Sequence, residues 1–335
     1  MKLYIIMTIF LTLSCALVPF SAAISPNDSK IRTNVHIQTE VTECNKAEHT
    51  TKLFETASSI RVLRTGSGKV VEKELFDYVK GSVAAEMPPT YEKEALKAQA
   101  VACYTYALWL KENSDSSALG GADVTDSPAN YQGFLDDDEL MDKWGEKYDE
   151  YMSAVTDAVS AVAGEYLQYN GEPIMACYHA ISTGKTESAE NAWGSDVPYL
   201  QSVRADGDIL SPDIDSSVEI TDEQFKKCMV NLEGAVLQKN SKKWIGENET
   251  TKSGYVTKIV IGGKAFSGSD VRSAFTLKSP AFTVKKTDKG FRFSVKGYGH
   301  LVGMSQYSAD YMARQGSGYK DILRHFFKGA KLAKS

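Results

Sequence analysis

The 335 residues contain no excess of positive charge, no close cysteine pair, no internal repeat and no low-complexity tract. Each absence excludes something. Lys and Arg number 38 against 43 Asp and Glu, a formal charge of −5. The overall basic excess usual in a nucleic-acid binder is missing; a local basic patch stays open, but no nucleic-acid partner is expected. The five cysteines, Cys15, Cys44, Cys103, Cys177 and Cys228, are widely scattered with no CxxC among them. A local structural zinc site therefore has no support. No HExxH run occurs either. Neither a metal nor a cofactor is expected. Several disulfide pairings are open to the four later cysteines, and the sequence does not choose between them. Cys103 in an apolar helix pattern and Cys177 in an apolar strand pattern read as buried free thiols.

What is present begins at the N-terminus. Lys2 precedes a stretch from Leu3 to Phe20 without a charged residue, followed by Ser21, Ala22, Ala23 and Pro26. This is the layout of a secretory signal cleaved after Ala22 or Ala23. It is also at the short limit of the ~20 residues of a membrane anchor, so residues 1–23 are read as one or the other. Cys15 sits in a faintly lipobox-like context, to which Thr12 is a poor fit. Both readings place the remainder outside the cytoplasm. Residues 24–55 form a polar linker and 56–335 the functional region, with 205–253 a variable insertion or subdomain.

A turn at Thr65–Lys69 between apolar runs predicts a hairpin over Ser59–Val71. A short helix is expected over Glu74–Lys80, with Gly81 as its breaker, before Val83–Met87 and the stop at Pro88-Pro89. Tyr91–Leu110 has helical spacing of Ala95, Leu96, Gln99, Ala102, Tyr106 and Trp109. Leu140–Ala163 reads as one further helix, ended by Gly164. A second hairpin turns at Asn170-Gly171. A helix capped by Thr221 starts near Asp222. Strands are expected at Val256–Ile261, Phe275–Leu277, Phe282–Lys285 and Phe291–Val295, and helices at Ser305–Arg314 and Tyr319–Phe327. The late strands lack intervening helices, which predicts an α+β fold of mixed helices and antiparallel strands forming a substrate groove.

Three segments carry residues that chemistry could use. Glu86, in Val83–Pro88, is a carboxylate among small and apolar neighbours at the end of an element. Burial there raises its pKa and keeps a proton available for donation; the competing reading is a solvated helix-end glutamate. In Cys177–Thr186, the side chains of His179, Ser182, Thr183, Lys185 and Thr186 could line a glycan groove. Gly184-Lys185-Thr186 lacks the upstream glycine of a phosphate loop, so nucleotide binding is rejected. Cys177 and His179 would share a strand face, as a nucleophile–base pair or as a buried thiol beside a satisfied histidine. The third segment, Gly297–Tyr307, sets His300 among glycines that allow positive φ and close backbone approach, with Gln306 and Tyr307 at a helix start.

Together these segments resemble the stage II sporulation protein D family, which includes proteins labelled amidase enhancers. The resemblance rests on Asp77–Gly81 leading into Ala84–Pro88, Glu94–Ala102 with Thr105–Ala107, His179–Thr186, Glu190–Gly194 with Asp196–Leu200, and Gly299–Tyr307. It covers about Asp77 to Gly329. It implies a lytic transglycosylase that cleaves the MurNAc–GlcNAc bond of peptide-stripped strands to 1,6-anhydro ends during engulfment. It further implies Glu86 as the catalytic acid, and a cell-wall amidase and a membrane scaffold as partners. Tyr178, Trp193 or Tyr199 would stack on sugar, and His179, Lys185, Thr186, His300, Gln306 and Tyr307 would position it. The chain departs from the family pattern in four places. Leu301 and Ser308 stand where glycines are usual, Cys103 stands where arginine is common, and Asp123–Asn130 lacks the cysteines and histidines with which some relatives bind zinc. The alternative function is a non-catalytic, glycan-binding enhancer of an amidase; a cysteine amidase using Cys177 and His179 is a third.

Overall fold

The computed structural model describes residues 59–129 and 131–335. The signal or anchor of residues 1–23, the linker, Cys15 and Cys44 lie outside the described residues. Strands β1 (Ser59–Arg64) and β2 (Lys69–Glu74) form the expected hairpin, with Ser59 opposite Glu74. The chain runs directly into α1 (Leu75–Glu86). Gly81 does not break this helix. A Cβ there would lie 2.4 Å from the Leu135 carbonyl oxygen and 2.5 Å from the Phe134 ring, so the glycine admits the 134–135 segment against the helix. The long helix α2 (Lys93–Asn113) follows, and β3 (Val124–Thr125) pairs in parallel with β1.

The single helix expected over 140–163 is two. α3 (Asp137–Trp144) starts at a capping box of Asp136 and Glu139, and α4 (Tyr148–Ala161) follows a 3-10 turn. Gly145, at φ +55°, redirects the chain between them. β4 (Glu165–Tyr169) and β5 (Glu172–Pro173) flank Asn170 and Gly171, both at positive φ. The two-residue strand β6 (Tyr178–His179) and α5 (Ala189–Trp193) come next.

A second core then forms. Its elements are β7 (Asp215–Thr221), α6 (Asp222–Cys228), β8 (Ile245–Thr250), β9 (Val256–Ile261), β10 (Lys264–Phe266), α7 (Gly268–Phe275), β11 (Phe282–Lys286) and β12 (Gly290–Lys296). Thr221 caps α6 as expected, in a capping box with Gln224. Two antiparallel three-stranded sheets, β10-β9-β8 and β11-β12-β7, enclose Phe225, Trp244, Phe275, Phe291 and Phe293. This unit is wider than the insertion expected at 205–253, because β7 pairs with β12 from Asp215–Lys296 through Thr221–Gly290. Phe275–Leu277 is not a strand: Phe275 ends α7, and Thr276 takes the left-handed cap at φ +52°.

The chain returns to the first core through β13 (Met304–Ser305), α8 (Gln306–Arg314), α9 (Tyr319–Phe326) and β14 (Lys331–Lys334), an unpredicted strand that pairs with β4. α2 is the hub, packing against α1, α4, α8, α9 and β4. Its buried Ala95, Ala98, Ala100, Ala102 and Ala107 let those neighbours close in. The fold is mixed α+β. Most strand pairs are antiparallel, while β1–β3 and β6–β13 are parallel. Among the described residues no helix is long and apolar enough to cross a membrane.

Candidate active site

Glu86 is the last residue of α1. Met87 is already extended, and Pro88 and Pro89 prevent the helix from continuing. The side chain is directed inward, where one carboxylate oxygen accepts the Gly133 backbone N–H. Gly133 permits that approach, since a Cβ there would sit 2.9 Å from the same oxygen. Burial raises the Glu86 pKa; the Gly133 N–H and the Lys143 ammonium oppose the rise without cancelling it. The negative end of the α1 dipole acts in the same direction as burial. Lys143, on α3, donates to the carbonyls of Ala84 at 3.3 Å and Ala85 at 3.4 Å. Its own pKa is lowered by burial. Glu86 has the backbone partner of an ordinary helix-end glutamate, yet it is half-buried and its pKa is raised.

A buried polar chain runs beside it. Gln306 donates to Gln99 Oε1 at 3.4 Å, and Gln99 donates to the Cys103 thiol at 3.3 Å. Cys103 donates to the Tyr178 hydroxyl at 3.4 Å, and Tyr178 to Gln132 Oε1 at 3.2 Å. Gln132 donates to the Tyr78 hydroxyl at 3.1 Å. Burial raises the pKa of Tyr78, Cys103 and Tyr178, and the Glu86 charge adds to each. The chain is therefore within electrostatic reach of Glu86, and Tyr178 faces the Glu86 side of β6.

His179 follows Tyr178 in the strand and so points to the opposite face. There its ring meets that of His300 at 5.8 Å between centroids, and His300 meets Trp193 at 5.7 Å. Parallel pairing sets Met304 beside Tyr178 and Ser305 beside His179. The glycines of this segment allow the contact: a Cβ on Gly299 would be 2.7 Å from His179 Cβ, and one on Gly303 2.1 Å from the Cys177 carbonyl oxygen. His179 Nδ1 bonds the Val302 carbonyl at 3.0 Å, while His300 Nδ1 accepts the Val302 N–H at 3.2 Å. Burial pulls the two imidazoles down to about 4 and about 3, respectively, so both are neutral near pH 7. The three singled-out segments thus converge on β6 from two sides, with Glu86 and the histidines on different faces.

The remaining predicted residues divide by exposure. Trp193 is 43% exposed, and Thr183, Lys185, Tyr199 and Tyr307 are half-buried. Thr183 donates to the Ser253 carbonyl at 2.7 Å, and the Tyr199 hydroxyl accepts the Met175 N–H at 3.2 Å. The Tyr307 hydroxyl bonds the Leu210 carbonyl at 3.4 Å. Ser182, Thr186 and Gln306 are buried. The Ser182 hydroxyl accepts the Gly184 N–H at 3.2 Å and the Thr186 hydroxyl the Val203 N–H at 2.9 Å, so these side chains hold loops together rather than face solvent. Cys177 precedes β6 instead of lying within it. It shares the Val302 carbonyl with His179, and burial pushes its thiol up to about 12, which does not suit a thiolate nucleophile. Among the described residues, Cys103, Cys177 and Cys228 are free thiols.

Several residues of this arrangement had no signal in the sequence. Gln132, Gly133 and Lys143 are remote from Glu86 along the chain. Asp208 is buried and collects the Ser182 N–H and the hydroxyls of Ser305 and Ser308 at 2.7, 2.7 and 2.9 Å. Buried Glu187 accepts from the Ser188 N–H, Asn191, Thr251 and Ser253. The family departures are accommodated. Leu301 holds φ +69°, the conformation that favours glycine, and is wholly buried with Tyr255 and Ala281. Ser308 uses its hydroxyl on Asp208, and Cys103 is a link in the buried chain. The apolar pocket lined by Phe76, Val79, Ala100, Tyr104 and Val159 contains none of the predicted site residues. Among the described residues no three His, Cys, Asp or Glu side chains gather as a metal-binding group.

Comparison with known proteins agrees with the motif resemblance. A family profile described as Stage II sporulation protein matches residues 64–169. Stage II sporulation protein D of Bacillus subtilis (strain 168) is 34% identical over 279 residues, covering 83% of this chain and 79% of that protein. The protein of the same name from Bacillus amyloliquefaciens is 34% identical over 297 residues, covering 88% and 84%. The amidase enhancer of Bacillus subtilis (strain 168) is 28% identical over 308 residues, covering 76% of this chain and 40% of that protein. The match to these relatives extends well beyond the profile, over 83% and 88% of this chain, and the chain belongs to the stage II sporulation protein D family.

Proposed function

We propose that this chain is a peptidoglycan lytic transglycosylase acting on peptide-stripped glycan strands in sporulation. The observation that carries the reading is the inward carboxyl of Glu86, held by the Gly133 N–H with its pKa raised by burial. A carboxyl in that state can donate a proton near neutral pH. Protonated Glu86 gives its proton to the glycosidic oxygen as the muramyl C1–O bond breaks and the ring gains oxocarbenium character. The GlcNAc hydroxyl departs. The new carboxylate then takes the proton from the muramyl O6 hydroxyl as O6 bonds to C1, closing the 1,6-anhydro ring. The nucleophile is internal, so one acid serves where ordinary glycosidases use two. The polar neighbours of Glu86, Gly133 and Lys143, suit a single-acid site.

In this reading the exposed or half-buried Thr183, Lys185, Trp193, Tyr199 and Tyr307 contact the strand. Tyr178, Ser182, Thr186, His300 and Gln306 set the loops that present them. Export through residues 3–20 places the protein in the extracytoplasmic wall space, where a cell-wall amidase strips the strands it uses and a membrane scaffold holds it at the septum. The amidase enhancer among the relatives favours a second reading, a glycan-binding protein that stimulates an amidase without cutting. Purified protein incubated with peptide-free glycan separates the two. Anhydro-muramyl products support the enzyme; binding without products supports the enhancer.

A further inference from the structure

On the face of β6 away from Glu86, the two cores meet around an unpaired cation. The Tyr255 hydroxyl bonds Ser269 of α7 at 2.9 Å and the Ala192 carbonyl, next to Trp193, at 3.5 Å. The Gly299 N–H donates to the Lys278 carbonyl at 2.9 Å. One turn along α7 from Ser269 stands Arg272, half-buried. Among the described residues its guanidinium makes one hydrogen bond, from Nε to the Leu277 carbonyl at 3.4 Å, and its charged or ionisable neighbours are Tyr255, Tyr298, His179 and His300. The nearby acids are engaged elsewhere: Glu187 with the Ser188 N–H, Asn191, Thr251 and Ser253, and Asp270 in capping α7 with Ser267. A half-buried guanidinium without a carboxylate calls for an anion.

A second observation narrows the ligand. His179 is 3% exposed, and its Nε2 has no hydrogen-bond partner among the described residues. Its Nδ1 faces a carbonyl oxygen and must carry the proton, so Nε2 presents a bare lone pair that accepts from a hydroxyl. At the rim, Trp193 and Tyr298 are 43% and 46% exposed, with Trp193 against the His300 ring and the Lys278 ammonium over one face of Tyr298, 5.2 Å from the ring centroid. The uncovered aromatic surface suits a sugar ring, and Lys278 adds to the positive charge at the rim.

We infer that Arg272, His179, Trp193 and Tyr298 form a binding site for a hexose bearing a free carboxylate, the carboxylate on Arg272 and a hydroxyl on His179 Nε2. Resting on the glycan-strand reading above, the ligand is a muramyl residue whose lactyl carboxylate is not in amide linkage to a peptide. The site would recognise the stripped state of the strand directly, and Arg272 is its specificity-determining residue. It lies apart from the Glu86 proton chemistry.

The test is calorimetric or NMR titration of the full chain with N-acetylmuramic acid and with its lactyl methyl ester. The free acid should bind about tenfold more tightly, the scale of one charge-assisted hydrogen-bonded pair. Arg272→Gln should abolish the difference, Arg272→Lys should retain part of it, and Glu86→Gln should leave it intact. Equal affinity of acid and ester for the unsubstituted chain, or an undiminished difference in Arg272→Gln, overturns the assignment. Should Arg272→Gln melt early, salt decides on the unsubstituted chain: the preference for the acid must shrink as ionic strength rises, and a salt-independent preference overturns the site. A preference for the acid without anhydro products would sink the lytic reading and leave this site standing. Products without that preference would do the reverse.

Discussion

Acidification should weaken the fold through the histidine pair before most carboxylates protonate. His179 titrates at about 4 in the folded chain against an ordinary value of 6.5. Below pH 6.5 the unfolded chain takes up a proton that the folded chain refuses, so stability falls as pH drops and levels off only below the folded value of about 4. Worked as a single group, that shift corresponds to on the order of 3 kcal/mol, a large share of the roughly 5–15 kcal/mol typical of a domain. His300, pulled down to about 3, acts in the same direction, and the two rings are too close for their contributions to be summed. Urea unfolding at several pH values between about 7 and 4 measures the loss. Replacing His179 by Gln removes the titrating group, so its stability should vary less steeply with pH than that of the unsubstituted chain. Equal pH slopes in the two proteins would refute the claim that desolvation keeps these imidazoles neutral.

Three further outcomes follow from the same geometry. Lys143→Met removes the cation that holds the Glu86 pKa down; the alkaline limb of the pH–rate profile, where the acid form is lost, should move to higher pH, and an unchanged or lower limb would contradict the assignment. Gly133→Ala places a Cβ 2.9 Å from the Glu86 carboxylate oxygen. Displacing the acid should lower product formation by roughly 10²-fold with little change in melting temperature, and full activity would mean that the carboxyl position does not matter. Cys177→Ala should still form products, because the thiol is buried at a pKa of about 12; loss of activity in a well-folded variant would revive the cysteine mechanism.

Much of the fold was legible where local chemistry decides it. The Asn170-Gly171 turn, the Thr221 cap and the apolar spacing of α2 are short-range signals, and each appears where the pattern put it. Two of the errors came from glycine. Gly81 reads as a breaker because glycine is a poor helix former, yet here it is required for packing against Phe134 and Leu135. Gly145 looked like an ordinary residue in a continuous apolar pattern and instead turns the chain. The extent of the second core was hidden for a different reason. The pairing of β7 with β12 joins Asp215 to Lys296, a long-range contact with no local trace.

The site was legible in residue type but not in connection. Glu86, His179 and His300 stood out by their neighbours in the chain. Their partition to two faces of β6 depends on which side Tyr178 takes, and that is set by Cys103 and Gln132 in distant elements. Gln132, Lys143 and Arg272 had no motif to mark them. The family departures became interpretable only in three dimensions. Leu301 occupies a left-handed position that strains any side chain by about 1–2 kcal/mol, and its complete burial beside Tyr255 and Ala281 offsets the strain.

The central claim is that one sheltered carboxyl cuts glycan, and the most direct test is mass spectrometry of peptide-free strands digested with the purified chain and with Glu86→Gln. The unsubstituted protein should yield 1,6-anhydro-muramyl ends and the variant none above background, with its fold and strand binding intact. Equal yields from both proteins, or reducing-end muramyl sugars in place of anhydro ends, would contradict the claim.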